Sequence, residues 1–432
     1  MGVVETGTRI LHRKPAESAS ATLEGRAVDR ETGLDGPVRV VIEDGIVVTV
    51  EPGTSGELLL LPGFVDPHVH LRTPGREDEE TIASGTLAAA AGGFCAILAM
   101  PNTDPVVDNA AVLGALIEQA ERDAIVPTGF LAAITKGQRG EELTEMGELA
   151  ACGAAGFTDD GKPVASAGML RRALQYAGVT GLRLALHEEE PTLTRDGHMR
   201  EGDVSAELGI GGWPSIAEST MVERDLAIAA YEGRPLHLQH LSTRESVEAV
   251  RRALAAGVDV TSEATPHHLC LTDEAVRTLD TNAKMNPPLG TEGDRLALIA
   301  GLRDGTITCI ATDHAPHARH EKDVPFEEAP FGVLGLETAF AAVYTHLVVP
   351  GLLELGTVAQ RLSMGPARAF GLPVPRIAAG EPANIAVVDP DESWLVDDDA
   401  LRSLSVNSWA LGLRLRGRVR ATYADGALVY EL

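Results

Sequence analysis

The chain has 432 residues, of which 36 are Lys or Arg and 63 are Asp or Glu, and its formal net charge is −27. So acidic a chain repels nucleic acid and anionic membrane surfaces, which leaves a small molecule or a protein as its partner. It has no apolar run of about 18 residues and no signal-peptide pattern, and its four cysteines lack a C-x-x-C spacing. We therefore expect a cytoplasmic protein with reduced thiols.

The N-terminal part of the chain predicts a tail followed by β-structure. Residues 1–21 are rich in Ser, Ala and charged residues, which is typical of a loosely ordered tail. From Pro37 apolar and polar residues alternate until Asp44-Gly45, a dipeptide that favours a tight hairpin turn. The domain that follows the tail should therefore begin with β-strands.

The middle of the chain, residues 58–377, predicts a barrel. Apolar runs that end in polar residues alternate there with helical segments, among them 79–93, which ends at Gly92-Gly93, and 108–122, with Asp108 as a candidate N-cap. Eight such units form an α/β fold, the (β/α)8 barrel of TIM type. The eight strands are predicted near residues 58–66, 94–100, 125–134, 154–160, 182–187, 235–240, 258–264 and 306–312.

The C-terminal part returns to β-structure. Strand-like segments occupy 383–389 and 416–430, and the second of them contains an Asp-Gly turn at 425–426. We expect the two β-rich ends, 22–57 and 378–432, to pair as one small β-sandwich domain beside the barrel.

A cluster of polar residues follows the first predicted barrel strand, in the segment Gly63 to Arg72. Residues two apart on a strand share a face, so His68, His70 and Arg72 should project to one side. This arrangement is a pair of metal ligands with a cation beside it.

The other predicted strands also end in polar residues, at the end of the barrel where active sites lie. Asp159 and Asp160 follow the fourth strand, and because neighbours face opposite ways only one of them can enter the barrel mouth. The spacing does not choose between them. By the same rule His237 should face away from His240 and be structural. The remaining candidates are Asn102, His187, His240 and Asp313.

Four His and two Asp from five strands form the ligand set of a divalent metal centre. Imidazole and carboxylate groups bind Zn²⁺ or a similar ion, and six ligands exceed the needs of one catalytic site. Two ions that share a bridging carboxylate fit better, and they would hold a hydroxide for hydrolysis. Asp313 could accept the proton of this hydroxide and return it to a leaving nitrogen. Arg72 and Asn102 remain for a carboxylate-bearing substrate.

Seven motifs carry a family resemblance: FVDPHVHLR, AMPNTDP, GFTDDG, TPHHL, KMNPPL, ATDHAPH and PFG. Together they resemble the amidohydrolase superfamily and, within it, the zinc-dependent dihydroorotase family, in the class that has a bridging Asp in place of a carboxylated Lys. The likeness extends from about residue 22 to the C-terminus. It implies the reversible cyclisation of N-carbamoyl-L-aspartate to L-dihydroorotate and water.

The resemblance also implies roles for individual residues. It implies that His68 and His70 bind one Zn²⁺, that His187 and His240 bind a second, that Asp160 bridges them, and that Asp313 is both a ligand and the catalytic acid and base. It implies substrate contacts for Arg72, Asn102, Asn286, His317, Phe331 and Gly332. A homodimer, and an association with aspartate transcarbamoylase, are further expectations from the family.

Two alternatives and two departures accompany this interpretation. A hydantoinase or allantoinase would resemble the carboxylated-Lys class, and a non-catalytic partner subunit should have lost ligands, which this chain has not. The tail is longer than expected, and Glu188 stands where the class often has Cys, so that Glu188-Glu189-Glu190 predicts an unusually acidic rim. We expect neither departure to touch a ligand.

Overall fold

The structure is a computed structural model that describes residues 10–54 and 56–432. The first nine residues of the predicted tail lie outside the described residues. Within the described part of the chain, no helix is long and apolar enough to cross a membrane.

The secondary structure alternates between strands and helices over most of the chain. The strands are β1 (Ala21–Asp29), β2 (Leu34–Glu43), β3 (Ile46–Pro52), β4 (Leu59–Pro62), β5 (Phe64–Val69), β6 (Phe94–Ala99), β7 (Thr128–Ala132), β8 (Gly156–Phe157), β9 (Leu184–Leu186), β10 (Met199–Arg200), β11 (Gly212–Trp213), β12 (Leu236–Leu238), β13 (Val260–Ala264), β14 (Cys309–Ile310), β15 (Ile385–Leu395), β16 (Arg414–Ala424) and β17 (Ala427–Glu431). The α-helices are α1 (Ile82–Ala91), α2 (Ala110–Asp123), α3 (Met146–Cys152), α4 (Ala167–Thr180), α5 (Asp203–Leu208), α6 (Ile216–Glu232), α7 (Arg244–Ala255), α8 (Pro266–Cys270), α9 (Glu292–Asp304), α10 (Arg319–Lys322), α11 (Ala339–Val343), α12 (Leu355–Leu362) and α13 (Met364–Ala369).

Eight strands form the predicted barrel. Their order is β5, β6, β7, β8, β9, β12, β13 and β14, and every neighbouring pair is parallel. A parallel bridge between Val69 and His314, with a 2.8 Å hydrogen bond from the backbone N–H of His70 to His314, closes the ring. The α/β barrel is therefore confirmed, and the carboxyl ends of its strands meet at one mouth.

The two chain ends form a second sheet, also as predicted. Its order is β17, β16, β15, β4, β1, β2 and β3. Both Asp-Gly turns are hairpins with positive φ at each central residue, 48° and 82° at Asp44 and Gly45, and 47° and 78° at Asp425 and Gly426. The terminal domain, predicted as a β-sandwich, is one continuous sheet. The sheet curls, so that Ile46 at one edge forms a bridge with Pro382, which precedes β15. Apolar side chains from both chain ends form its core.

The first predicted barrel strand, 58–66, proves to be two strands. β4 pairs with β1 and β15 in the terminal sheet, and only β5 lies in the barrel. Gly63 separates the two strands. The chain passes so close to Cys95 there that a Cβ added to Gly63 would lie 2.7 Å from the Cys95 Cβ. Residues 59–62 therefore belong to the terminal sheet, although the sequence analysis ended the N-terminal segment of that sheet, 22–57, before them. The rest of the division into domains stays a prediction.

The start of the described chain is attached to the barrel. His12 exchanges two backbone hydrogen bonds of 2.9 Å with Thr128, and Ala19 donates to Gly426 in the terminal sheet. The expectation of a loosely ordered tail is therefore wrong for residues 10–20, because their backbone groups pair with both domains. Sequence composition carries no information about such pairing.

The two helices with predicted boundaries are present. α1 begins with a capping box between Thr81 and Ser84 and ends at Gly92. The N-cap of α2 is Asn109 rather than Asp108, because the Asn109 side chain accepts from the free N–H groups of the first turn at 3.1 Å.

Candidate active site

Six side chains form a cluster, here called the centre, at the barrel mouth. Each is at most 7% exposed, and each follows or ends a barrel strand. The members of the centre are His68, His70, Asp160, His187, His240 and Asp313.

Asp160 lies in the middle of the centre. Its Oδ1 is 3.2 Å from His68 Nε2, 3.7 Å from His240 Nε2 and 3.9 Å from His187 Nδ1. Its Oδ2 is 3.5 Å from His70 Nε2. One carboxylate therefore faces all four imidazoles, and its Oδ1 alone faces three of them.

Asp313 closes one side of the centre. Its Oδ1 is 3.0 Å from His70 Nε2 and 3.4 Å from His68 Nε2. On the other side, His187 Nδ1 lies 2.9 Å from His240 Nε2. The centre thus has two halves that meet at Asp160.

The donor atoms of the centre fit a divalent metal ion. Two groups, His68 with Asp160 and His240, and His68 with His70 and Asp313, each present ligand atoms within 4.8 Å of one another. His68 Nε2 is buried and has no hydrogen-bond partner in the described chain, although two carboxylates lie nearby. Nitrogen and oxygen ligands that converge in this way are those of Zn²⁺ and similar ions.

The charges of the centre act strongly on one another. Burial alone would raise the pKa of Asp160, but the neighbouring imidazoles, chiefly His68, hold that pKa well below its usual value. The same imidazoles lower the pKa of Asp313 despite its burial. Conversely, burial is outweighed by Asp160, Glu263 and Asp313, which raise the pKa of His68 well above its usual value. The two aspartates are thus held as anions, the form that binds a cation.

The two neighbouring aspartates, between which the strand spacing did not choose, have different surroundings in the structure. Asp159 turns to the adjacent strand, where its Oδ1 accepts from the N–H groups of Ile134 and Thr135 at 2.8 and 3.0 Å. Asp160 enters the centre instead. The spatial arrangement therefore agrees with the position that the resemblance selects, although its role as a ligand stays a prediction.

Glu263 supports His68 from below. Its Oε1 accepts from His68 Nδ1 at 2.5 Å, and its Oε2 lies 2.9 Å from His237 Nε2. The first contact leaves Nε2 of His68 as the free nitrogen, which is how carboxylates orient metal-binding histidines. His237 therefore lies beneath the centre and does not face away from it, because β12 ends at Leu238 and the strand rule does not extend to His240.

Asn102 and Glu189 support two other imidazoles. Asn102 Oδ1 accepts from His70 Nδ1 at 2.9 Å, and Glu189 Oε2 lies 3.1 Å from His187 Nε2. The expectation that the acidic run touches no proposed ligand is therefore wrong. Glu188 is only 3% exposed. Its side chain turns inward and does not contribute to the predicted acidic surface, whereas Glu189 faces the barrel mouth.

A second group, here called the rim, lies beside the centre and contains Arg72 and His317. Arg72 Nη2 is 3.4 Å from His317 Nε2, and Arg72 Nε donates to the Pro316 carbonyl at 3.0 Å. The nitrogens of His317 face the carboxylate of Glu79 at 3.1 Å and the carbonyl of Phe331 at 2.8 Å. Burial, together with the charges of Arg72 and Lys322, lowers the pKa of His317 to about 3, so the ring is neutral near pH 7.

The segment with Phe331 and Gly332 packs against the rim. Gly332 has φ of 128°, and an added Cβ would lie 2.9 Å from His317 Nε2, so no larger residue fits. The Asn407 side chain contacts both residues. It donates to the Gly332 carbonyl at 3.2 Å and accepts from the backbone N–H of His317 at 3.0 Å. Asn286 donates to Glu189 at 3.3 Å.

The centre and the rim share one cavity of about 170 Å³. The cavity is lined by His70, Arg72, Asn102, Asp160, Gly161, His187, His240, Asn286, Asp313, Ala315, His317, Phe331 and Gly332. A larger cavity of about 460 Å³ lies at the other end of the barrel, but its lining is mainly apolar and lacks every site candidate. All the predicted site residues except His68, which is fully buried beneath, therefore line the smaller cavity.

Backbone strain also concentrates here. Arg72, His240 and Asp313 have positive φ values of 57°, 28° and 47°. Non-glycine residues rarely adopt this conformation, and they do so where the surrounding structure and function require it.

Four residues near the cavity, three of them buried, were missed by the sequence analysis as site residues. Glu263, Glu189 and Asn407 orient proposed site residues, and His267 lies 1% exposed with neither ring nitrogen hydrogen-bonded in the described chain. Burial lowers the pKa of His267 to about 4. The repeated histidines of TPHHL were the available signal for His267, whereas the other three lack a sequence pattern.

Comparison with known proteins gives consistent results. A family model described as "Dihydro-orotase-like" matches residues 57–246. A dihydroorotase of Geobacter sp. (strain M21) is 44% identical over 417 residues, which are 94% of this chain and 98% of the relative. A dihydroorotase of Anaeromyxobacter sp. (strain K) is 46% identical over 419 residues, 94% of this chain and 96% of the relative.

Solved structures share the fold at lower identity. An L-hydantoinase (dihydropyrimidinase) from Arthrobacter aurescens superposes with a TM-score of 0.82 at 22% identity, covering 98% of this chain and 96% of that one. A dihydropyrimidinase from Brevibacillus agri gives 0.81 at 21% identity, with 95% of each chain covered. These similarities concern the fold alone.

Proposed function

The chain belongs to the dihydroorotase family, and from that premise we propose how its own residues carry out the family's reaction. The activity is that of a metal-dependent cyclic amidohydrolase, the reversible cyclisation of N-carbamoyl-L-aspartate to L-dihydroorotate and water. The observation that carries the residue-level proposal is that the centre and the rim share one cavity.

We propose that the centre holds two Zn²⁺ ions. His68 and His70, with Asp313, would bind the first, His187 and His240 the second, and Asp160 would bind both. The support is the position of Asp160, whose Oδ1 lies 3.2 Å from His68 Nε2 in one half of the centre and 3.7 Å from His240 Nε2 in the other. When bound, the ions would lower the pKa of a water molecule and polarise the amide carbonyl of the substrate.

Asp313 is the proposed acid and base. Its carboxylate is held as an anion by the imidazoles around it, so it can accept the proton of the attacking water. It then donates that proton to the ring nitrogen as the amide bond breaks. In ring closure the same steps run in reverse, so Asp313 takes a proton from the attacking nitrogen and gives it to the departing oxygen.

The rim is the proposed binding site for the substrate carboxylate. Because Arg72 Nε is already bound to the Pro316 carbonyl, its terminal Nη groups are those left to donate to a carboxylate. His317 and Asn286 line the cavity on either side, and the backbone at Phe331 and Gly332 closes over the ring. Asn102 both lines the cavity and orients His70, so it serves substrate and centre together.

The test is a substrate panel on metal-quantified protein. Dihydroorotate, dihydrouracil (the same ring without the carboxylate), hydantoin and allantoin are compared by kcat/KM for ring opening. An Arg fork paired with a carboxylate predicts a preference for dihydroorotate of about 30-fold or more. Equal or better hydrolysis of hydantoin would contradict the proposal. It would favour the sister activity, for which the solved structures offer a shared fold only.

The partners of the chain stay predictions from the family. We propose a cytoplasmic homodimer, with association with aspartate transcarbamoylase as a further possibility to test. Sedimentation of the purified chain alone, and then with an aspartate transcarbamoylase, would measure its oligomeric state and this association. A monomer that sediments unchanged in the mixture would contradict both proposals.

A further inference from the structure

Glu79 joins the two side chains of the rim. Its carboxylate is 1% exposed, and it lies 3.0 Å from Arg72 Nε through Oε2 and 3.1 Å from His317 Nδ1 through Oε1. It therefore contacts both groups proposed to bind the substrate, from the side that faces away from the cavity. It does not line the cavity itself.

Glu79 is itself fixed on several sides. Its N–H donates to the Arg76 carbonyl at 2.9 Å, and its own carbonyl accepts from Ser405 Oγ at 2.7 Å. Arg76 Nη2 lies 3.0 Å from Oε1 and 2.6 Å from Glu321. The carboxylate is thus held by backbone and by a second ion pair, so it can act as a rigid support.

The same contacts argue against a metal ion at this place. Glu79, His317 and Glu321 present ligand atoms close together. However, two guanidinium groups, those of Arg72 and Arg76, already occupy these carboxylates and would repel a divalent ion. The cluster is better explained as a charge network for the rim.

Such a support changes how the substrate is bound. A free Arg side chain loses rotamer entropy when it is fixed. If Glu79 fixes Arg72 before the substrate arrives, that loss is not incurred on binding.

We infer that Glu79 is a positioning residue that fixes Arg72 and His317 relative to each other and so sets the preference for rings that carry a carboxylate. This inference rests on the proposed function of the rim. It adds a residue that contacts neither the reacting bond nor the substrate.

The experiment compares Glu79→Gln with the unaltered chain on dihydroorotate and dihydrouracil. The ratio of the two kcat/KM values should fall by about tenfold, within the range for groups that orient a binding residue. The fall should come mainly from a higher KM for dihydroorotate, while metal content and the kcat for dihydrouracil stay unchanged. A loss of kcat on both substrates with an unchanged ratio would overturn the inference.

Glu80→Gln is the matched control. Glu80 is the adjacent residue and is equally buried, but it binds His314 Nε2 at 3.3 Å, the Leu404 N–H at 3.1 Å and Ser403. Its variant should lower the thermal unfolding temperature without changing the substrate ratio. An equal change of the ratio in both variants would overturn the inference, since it would show a general effect of a lost buried charge.

Arg72→Met separates this inference from the proposed function. If Arg72→Met leaves the ratio unchanged, the rim does not bind the carboxylate, and the proposed function of Arg72 fails. If Arg72→Met lowers the ratio and Glu79→Gln does not, only the inference on Glu79 fails. In the double variant the Glu79→Gln effect should shrink, because Glu79 acts through Arg72.

A second variant covers the case in which Glu79→Gln does not fold. Glu79→Asp keeps the charge but is one methylene shorter, so it cannot reach both partners. It should lower the ratio less than Arg72→Met does, with normal metal content. An unchanged ratio in a folded Glu79→Asp protein would count against the inference in the same way.

Discussion

The centre and the rim are neighbours in one cavity, yet their charges are arranged in opposite ways. In the centre, carboxylates and imidazoles face one another, and His68 Nε2 has no hydrogen-bond partner in the described chain. In the rim, Arg72 already has Glu79 as its partner, and the two ring nitrogens of His317 face the Glu79 carboxylate and the Phe331 carbonyl.

The difference indicates what each group binds. Buried imidazole and carboxylate donors that converge on one place fit a metal ion. A buried network in which every charge has a partner is already in its working geometry, and a substrate can join it without large rearrangement. Changes in the centre should therefore affect metal and turnover, whereas changes in the rim should affect selectivity.

The largest effect is expected for Asp313→Asn. Loss of the proton acceptor should lower kcat for ring opening and ring closure by at least about 10³-fold. Bound metal, measured by mass spectrometry, should stay close to that of the unaltered chain, because five other ligands remain. A variant that still closes the ring would show that another group carries the proton.

Asp160→Ala and Asp159→Ala test the two neighbouring aspartates. Asp160→Ala should lose metal and activity together, because its carboxylate faces both halves of the centre. Asp159→Ala should keep its metal and instead lose about 1–3 kcal/mol of stability, since the N–H groups of Ile134 and Thr135 lose their acceptor. Metal analysis and thermal unfolding on both proteins provide the comparison. Equal metal loss would contradict the separation seen here.

Glu263→Gln should have an intermediate effect. Without the carboxylate on Nδ1, His68 is less firmly oriented, and the affinity for metal should fall by about 10- to 100-fold. Glu337→Gln is the control, because Glu337 is a half-buried carboxylate that accepts from the N–H groups of Arg402 and Ser403, away from the centre. Competition with a chelator measures both affinities. Similar weakening in the two variants would argue against orientation of His68.

The smallest effect is expected from pH on the rim. The pKa of His317 is lowered to about 3, chiefly by burial, and a base is neutral above its pKa. Its charge therefore does not change between about pH 6 and pH 9, and Arg72 stays cationic throughout that range. The ratio of dihydroorotate to dihydrouracil kcat/KM should be constant across this range. A ratio that rises as pH falls toward 6 would show that His317 becomes protonated, with both nitrogens donating.

Much of the fold and of the centre could be predicted from the sequence because both follow local rules. Buried parallel strands are apolar runs, and barrel sites lie where those runs end, so His68, His187 and Asp313 were recognisable in order along the chain. The split of the first strand at Gly63 was not predictable, since both halves are equally apolar and only the terminal sheet distinguishes them.

The supporting residues could not be predicted for a different reason. Glu263 and Asn407 lie far along the chain from the groups they orient, as Glu79 does from His317, and each follows no motif. Their partners depend on how loops and strands pack in three dimensions. The choice between Asp159 and Asp160 came from the family resemblance, because strand spacing alone does not give the backbone direction at the end of β8.

The most direct test of the account is a metal titration. Metal-free protein is reconstituted with increasing Zn²⁺ while bound metal and dihydroorotate hydrolysis are measured on the same samples. The account predicts activity that rises with bound metal and reaches its plateau at about two ions per chain. Full activity in metal-free protein, or a plateau at one ion, would contradict it.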